Sequence, residues 1–264
     1  MRLLVIVHIY YEHLWPELAE GLRCLKEPFD LRVTCVRRGE EVAAMVRESF
    51  PSAHVETVEN RGFDMGPFFH VLNGVDLNGY DAVVKLHTKR DIPLGYVMRG
   101  KVEGPGFRER LLRFTRSGTC WERALKRLFR RGTGMVGEGG LALNRFSDPL
   151  RDYSGVEEVL HRAGLVFRGG FFVAGSMFII RAPLLKVFQH RWRMEDFEVP
   201  DRTKGDGLPH FQERALGYAV YSQGFCLRDW NGRFFVPGAA SWRVRYLAAE
   251  RLRGVLRFFQ ERGS

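Results

Sequence analysis

Three basic or titratable side chains alternate along one short apolar segment. Lys85, His87 and Lys89 stand two residues apart within the stretch 81–89. In a β-strand this spacing places them on one face and the mostly apolar residues between them on the other. Ligands of open α/β sheets bind at the carboxyl ends of strands, so we expect these side chains to bind an anion such as a diphosphate. The alternative is a solvated edge strand, where lysine is common.

A second polar cluster, residues 60–67, precedes an apolar segment with helical character. Asn60 suits a turn with positive φ. Asp64 could accept hydrogen bonds from a ribose or a base edge, and it could equally cap the helix that follows. We expect this cluster, including Arg61, to face the same nucleotide as the cationic strand.

The start of the chain has a βαβαβ pattern. The hydrophobic spacing predicts strands at 2–8, 31–37 and 54–58 and helices at 12–26 and 40–49. Many nucleotide-binding α/β folds open in this way. His8 and Tyr10 would then lie at the carboxyl end of the first strand, beside the same crevice. Tyr10 could stack on a nucleobase or simply pack.

The rest of the chain continues the alternation of strands and helices. The sequence predicts a basic amphipathic helix within 107–131, strands at 134–137 and 219–223, a strand pair or bulged strand at 169–181, helices at 155–164 and 209–218, and a second basic amphipathic helix at 241–262. We expect one domain over 1–240, with 241–264 packed on it. The basic helices could also contact an anionic membrane surface.

Composition restricts the partners. The 264 residues carry a net charge of +10 with a pI near 9.8, which predicts an anionic partner such as a nucleotide, an anionic lipid surface or a nucleic acid. No nucleic-acid-binding module is recognisable, so we do not expect nucleic acid. The four cysteines form no Cys-x-x-Cys pair, which favours reduced thiols in the cytoplasm. Without an apolar stretch of spanning length, we expect a soluble protein or one peripheral on the inner face of the cytoplasmic membrane.

Five short motifs, in this order, resemble the rhamnan synthesis protein F family of bacterial polysaccharide glycosyltransferases. They are Val7-His8-Ile9-Tyr10-Tyr11, the run from Asn60 to Phe68, Lys85-Leu86-His87-Thr88-Lys89, the run from Val173 to Phe178, and Phe211-Gln212-Glu213-Arg214. The resemblance covers most of residues 1–235. It implies a GT-A-like, Rossmann-like nucleotide-sugar-binding sandwich, with a mostly parallel central sheet and helices on both faces. It also implies transfer of rhamnose or a similar deoxyhexose.

The resemblance implies roles for individual residues. Glu213 fits the family pattern for the catalytic base, with Asp206 as the second candidate. Their alternatives are a surface pair with Arg214 and a turn residue, respectively. Gly175 and Ser176 would contact the donor sugar, although the glycine could be purely steric. His210 could contact phosphate or cap its helix.

The resemblance also bears on metal use and substrates. Many GT-A enzymes hold a divalent cation with an Asp-x-Asp motif after the corresponding strand, whereas this chain has His87-Thr88-Lys89. We therefore expect metal-independent, inverting transfer, with the cations stabilising the departing nucleotide, which would be dTDP or GDP if the donor carries rhamnose. The acceptor would be a hydroxyl of a lipid-linked glycan, a precursor of cell-wall polysaccharide or lipopolysaccharide. Glycosyltransferases of the same pathway could be further partners.

Two alternatives remain open at this point. A sugar-phosphate transferase would use the same phosphate-binding groups but break the pyrophosphate bond. A non-catalytic basic protein could bind a nucleotide or nucleic acid without turnover. Loss of turnover with retained nucleotide binding would favour the second.

Overall fold

A seven-stranded sheet forms the centre of the molecule in the computed structural model, which describes residues 1–91, 106–145, 153–201 and 206–232. Its strands are β1 (Leu3–Ile9), β2 (Phe29–Cys35), β3 (His54–Thr57), β4 (Ala82–His87), β5 (Thr133–Gly137), β8 (Phe178–Arg181) and β9 (Cys226–Asp229). The spatial order is β3-β2-β1-β4-β8-β5-β9. The short strands β6 (Ala142–Leu143) and β7 (Phe172–Val173) form a separate antiparallel pair.

The sheet is mostly parallel. Only β8 runs against its neighbours β4 and β5, while the other paired strands run in one direction. Every residue of β1 and β4 is buried, so both faces of the sheet are covered. These observations confirm the α/β class with a mostly parallel central sheet. The edge-strand interpretation of the cationic segment is wrong, because β4 lies between β1 and β8.

Seven α-helices occur within the described ranges. They are α1 (Trp15–Arg23), α2 (Gly39–Ser49), α3 (Met65–Asn73), α4 (Phe107–Leu111), α5 (Gly118–Leu128), α6 (Ser154–Arg162) and α7 (Leu208–Ser222). None of the helices described is long and apolar enough to cross a membrane. The predicted C-terminal helix, 241–262, lies outside the described residues.

The basic segment after residue 106 forms two helices rather than one. A 3-10 turn, Arg113–Thr115, follows α4, and Ser117 then caps α5 by accepting a hydrogen bond from the Cys120 N–H at 3.2 Å. Serine is a favoured N-cap residue, which explains why a new helix begins after Ser117. The apolar side chains of α5 are buried, whereas Lys126 and Arg130 are exposed.

The prediction of a strand at 219–223 is wrong. These residues continue α7 to Ser222, and β9 begins only at Cys226. A short apolar run cannot be assigned to strand or helix by its periodicity alone. Gly224 follows the end of the helix, and its φ of +82° is incompatible with continuing a right-handed helix.

The strand order places a crevice between β1 and β4. The chain leaves β1 toward β2 on one side, and β4 pairs with β1 on the other side. Ligands of open α/β sheets bind at such a switch point, outside the carboxyl ends of the strands. His8 and His87 are partners in the β1–β4 register, so the predicted site residues of both strands meet there.

Candidate functional site

A cleft of about 470 Å³ opens at the carboxyl ends of β1 and β4. It is lined by residues from both strands, from the turn before α3, from the β7–β8 turn and from the start of α7. The predicted site residues among them are His8, Tyr10, Asn60, Asp64, His87, Lys89, Ser176, His210 and Glu213. The structure therefore brings together both polar clusters and the later motifs. Arg61, Lys85, Gly175 and Asp206 do not line the cleft.

Lys85 lies beneath the cleft and is bound by three acceptors. Its side chain is 1% exposed. The ammonium donates to the Asp64 carboxylate, to Ser176 Oγ at 3.0 Å and to the Ser176 carbonyl oxygen at 3.1 Å. Ser176 Oγ in turn donates to Asp64 Oδ2 at 2.6 Å. Direct contact of Lys85 with a diphosphate stays a prediction, but its charge is already compensated in the cleft floor.

The Asp64 carboxylate is held ionised by this network. Burial would raise its pKa, but the positive charges of Lys85 and Lys89 hold the pKa well below its usual range. Burial lowers the pKa of Lys85, against the attraction of Asp64. Asp64 occupies the N-cap position of α3, as the cap interpretation held, but its side chain makes no capping hydrogen bond.

The two histidines at the strand ends are neutral. Burial lowers the pKa of His8 to about 4 and that of His87 well below its usual value. His8 Nδ1 lies 3.0 Å from Thr34 Oγ1, which leaves His8 Nε2 without a hydrogen-bond partner among the described residues. Both ring nitrogens of His87 likewise lack a hydrogen-bond partner there. His87 Nδ1 lies 3.6 Å from Asp64 Oδ2. A neutral imidazole has one donor and one acceptor, so both rings can hydrogen-bond to a ligand in the cleft without contributing charge.

Two turns with positive φ deliver the floor residues. Gly62 and Phe63 have φ of +64° and +55°, and Gly175 and Ser176 have φ of +89° and +50°. A non-glycine residue in this region costs about 1–3 kcal/mol and persists only where the surroundings enforce it. The turns aim Asp64 and the Ser176 hydroxyl at Lys85. A Cβ on Gly175 would lie 2.6 Å from a Leu111 methyl, so glycine is required there.

Glu213 enters the cleft from α7 and is oriented by the same turn. Its Oε1 accepts a hydrogen bond from the Gly175 N–H at 2.6 Å. Asp206, by contrast, pairs with Arg214 at 2.9 Å; the Arg214 side chain is buried and that of Asp206 is partly buried. The pairing of Glu213 with Arg214 is therefore wrong as an interpretation, because Arg214 binds Asp206. Of the two candidate bases, only Glu213 lines the cleft.

The rim of the cleft carries two cations, Lys89 and Arg90. No carboxylate of the described residues forms an ion pair with Lys89 or Arg90. Lys89 Nζ lies 5.4 Å from the Phe107 ring centroid, and the Arg90 guanidinium lies 4.9 Å from that of Tyr11. The backbone N–H groups of Tyr10 and Tyr11 donate to Thr88 Oγ1 at 2.8 and 2.9 Å, which ties the ends of β1 and β4 together.

Two residues that were predicted to contact the ligand instead make hydrogen bonds within the protein. Arg61 pairs with Glu59 at 2.7 Å and donates to the Phe197 carbonyl oxygen at 3.2 Å, outside the cleft lining. His210 Nδ1 accepts from the Gly207 N–H at 3.4 Å, which supports its helix-cap interpretation. Its ring also contacts the Phe63 ring, with centroids 5.6 Å apart.

Several residues that line the cleft were not predicted from the sequence. Phe63, Tyr11 and Arg90 line the cleft, yet each stands next to a residue that was predicted. The unusual backbone of Phe63 has no sequence signal beyond the preceding glycine. Pro200 and Pro209 complete one wall, and only the three-dimensional approach of residues 197–201 to the turn at Gly62 reveals it.

A metal site is not evident in the described part of the chain. No three His, Cys, Asp or Glu side chains cluster there in a way that could hold a metal ion. Asp64 is the acidic residue of the cleft floor, and its Oδ2 is engaged by Lys85 and Ser176. Independence from metal stays a prediction.

Comparisons with known proteins give matches of differing extent. Residues 1–113 match the sequence model of a family described as rhamnan synthesis protein F. The uncharacterized protein WxcX of Xanthomonas campestris pv. campestris, in strains B100 and ATCC 33913, is 31% identical over 87 residues. That alignment covers 33% of this chain and 12% of WxcX.

Among solved structures, the crystal structure of S. aureus TarS 1-349 matches with a TM-score of 0.45 and 12% sequence identity. The match covers 97% of this chain and 65% of that one. The motifs at 173–178 and 211–214 lie beyond the family match. Over residues 1–113, the resemblance to the rhamnan synthesis protein F family is confirmed.

Proposed function

We propose that this protein is a glycosyltransferase of bacterial polysaccharide assembly. It moves a sugar from a nucleoside-diphosphate sugar to a hydroxyl group of a growing glycan. The observation that carries the proposal is one cleft at the switch point of the sheet, with cations on its rim that form no ion pair among the described residues and an oriented carboxylate, Glu213, on its wall. The family match of residues 1–113 supports the assignment to polysaccharide synthesis.

The donor nucleotide lies along the carboxyl ends of β1 and β4. Lys89 and Arg90 bind the diphosphate, because they are the cleft cations without a carboxylate partner among the described residues. Tyr10, 37% exposed on the rim, stacks on the nucleobase. The neutral imidazoles of His8 and His87 hydrogen-bond to donor oxygens. Ser176 contacts the donor sugar, and Gly175 positions Glu213.

The chemistry is a single displacement. Glu213 takes the proton of the acceptor hydroxyl while that oxygen forms a bond to the anomeric carbon. The bond between the anomeric carbon and the diphosphate oxygen breaks, and its electron pair stays on the diphosphate. Lys89 and Arg90 stabilise the charge that develops there. Attack from the face opposite the leaving group inverts the anomeric configuration.

Several finer features belong to the same proposal. The fold is a GT-A-like variant in which the cationic rim replaces a metal ion. The sugar is rhamnose or a similar deoxyhexose on dTDP or GDP, and the acceptor is a lipid-linked precursor of cell-surface polysaccharide or lipopolysaccharide. Two exposed cations, Lys126 of α5 and Arg130 just after it, dock the protein on the anionic inner face of the membrane. Other enzymes of the same pathway act beside it.

A transfer assay tests the proposal. The purified chain is incubated with dTDP- and GDP-linked deoxyhexoses and a panel of glycan acceptors, and products are followed by mass spectrometry. We expect one donor to give an acceptor product heavier by one sugar residue, together with free nucleoside diphosphate. Release of a nucleoside monophosphate with a sugar phosphate on the acceptor would instead establish sugar-phosphate transfer.

A further inference from the structure

Phe63 is an aromatic residue held in an unfavourable backbone conformation at the edge of the cleft. Its φ is +55°, a region that bulky side chains rarely adopt. The residue is half-buried and lines the cleft. It is not part of the hydrophobic core, which includes the nearby Phe68 and Phe69. Packing in the core therefore does not account for this aromatic side chain.

The surroundings hold the Phe63 turn in place. The Gly62 N–H donates to the Glu198 carbonyl oxygen at 2.9 Å. A Cβ on Gly62 would lie 2.6 Å from the Phe197 ring, so the two segments are in close contact. The turn that presents Phe63 to the cleft is thus fixed before any ligand binds, which is how strained residues at ligand sites are commonly maintained.

One wall of the cleft is consequently apolar and aromatic. The rings of Phe63 and His210 meet edge-on, with centroids 5.6 Å apart and an angle of 63° between planes. Met65, Pro200 and Pro209 add further apolar side chains to the cleft lining. We name these five residues the aromatic wall. The wall has no lysine, arginine or carboxylate, in contrast to the rim formed by Lys89 and Arg90.

The wall adjoins the proposed base. His210 and Glu213 are three residues apart on α7, so their side chains lie on one face of that helix. A ring bound against Phe63 and His210 would present its hydroxyl groups toward the Glu213 carboxylate. The C–H groups on the apolar face of a pyranose carry partial positive charge and suit the negative face of an aromatic ring.

We propose that the aromatic wall is the acceptor subsite and that Phe63 binds the apolar face of the acceptor's terminal pyranose. The inference rests on the proposed function. It assigns the anionic donor to the rim and the uncharged acceptor sugar to the wall. Phe63 then sets the acceptor ring so that one hydroxyl meets Glu213.

Phe63→Asn tests the subsite without losing the turn, because asparagine tolerates positive φ. Phe63→Tyr is the matched control that keeps the ring. The probes are methyl α-rhamnopyranoside and methyl α-mannopyranoside, observed by saturation-transfer NMR with a bound nucleoside diphosphate. We expect saturation of the ring protons in the wild-type chain and in Phe63→Tyr, and a signal weaker by about threefold to tenfold in Phe63→Asn. Nucleotide affinity should be the same in all three.

Two outcomes overturn the inference: an undiminished signal in Phe63→Asn, or no saturation of either glycoside in a wild-type chain that binds nucleotide. A wild-type chain that binds no nucleotide refutes the proposed function instead, so the two failures are distinguishable. If Phe63→Asn does not fold, His210→Ala removes the other ring of the wall, and the same two criteria apply.

Discussion

The floor and the rim of the cleft carry charge in different ways. On the floor, Lys85 is 1% exposed and its ammonium is bound by Asp64 and Ser176. On the rim, Lys89 and Arg90 lie against aromatic rings and have no carboxylate partner among the described residues. Both sets of cations come from the same strand and its continuation.

The difference follows from where the strand ends. Inside the sheet, an unpaired ammonium would be very costly, so a buried lysine needs a partner carboxylate. Beyond the last sheet residue, His87, water solvates the cations and no partner is required. The floor therefore stabilises the geometry of the site, and the rim retains charge for an anionic ligand.

Glu213→Gln should have the largest effect on turnover. The amide cannot take the acceptor proton, so we expect kcat to fall by about 10²–10⁴-fold while nucleotide affinity is unchanged. Asp206→Asn is the matched control, since it breaks an ion pair with Arg214 outside the cleft. It should lower stability and spare turnover. Measured kcat values that fall in Asp206→Asn and not in Glu213→Gln would exchange the two roles.

Lys85→Met should have the largest effect on stability. It leaves the Asp64 carboxylate in the floor without its main partner, at a cost of about 3–5 kcal/mol in the free energy of unfolding. Urea denaturation measures this. Lys126→Met, on the exposed face of α5, should change the free energy by less than about 0.5 kcal/mol. Equal changes in the free energy of unfolding would show that the Lys85–Asp64 pair is no more important to stability than an exposed lysine.

Acidification should weaken the floor. The pKa of His8 is about 4 in the folded chain and 6.5 as a free group. Above pH 6.5 both states are neutral, and the stability due to this difference is fully present. As pH falls from there toward 4, the unfolded chain gains a proton that the folded chain does not, and about 3 kcal/mol is lost. His87, shifted in the same direction, adds to the loss.

His8→Gln removes one of the two titrating imidazoles, so the unfolding free energy should depend less steeply on pH. His13→Gln is the control, because His13 is exposed and should leave the dependence unchanged. Urea titrations at several pH values distinguish the variants. A pH profile identical in wild type and His8→Gln would contradict the burial of a neutral imidazole.

Lys89→Ala tests the rim and should have the smallest of these effects. Loss of one charge-assisted contact should raise the nucleotide Kd by roughly tenfold, with a weaker salt dependence. Arg61→Ala is the control, since Arg61 is paired with Glu59 away from the cleft lining. It should alter the Kd by less than about twofold. An equal loss in both variants would place the anion elsewhere.

The sequence predicted the strands and the convergence of motifs because these depend on local patterns. A continuous apolar run identifies β1, alternation with period two identifies β4, and parallel strands share their carboxyl edge. It did not predict that Lys85 is neutralised, because that requires Asp64 and Ser176, which are 21 and 91 residues away. The choice between Asp206 and Glu213 likewise depended on which carboxylate Arg214 binds. Residues 219–223 show the limit of periodicity for short runs.

The most direct test of the account is nucleotide binding to the purified chain by calorimetry, with dTDP, GDP and UDP, each with and without EDTA. The account predicts that one nucleoside diphosphate binds, that EDTA leaves its Kd unchanged, and that added salt weakens it as expected for the cationic rim. Absence of binding by all three nucleotides, with and without chelator, would contradict the assignment of the cleft as a nucleotide-sugar site.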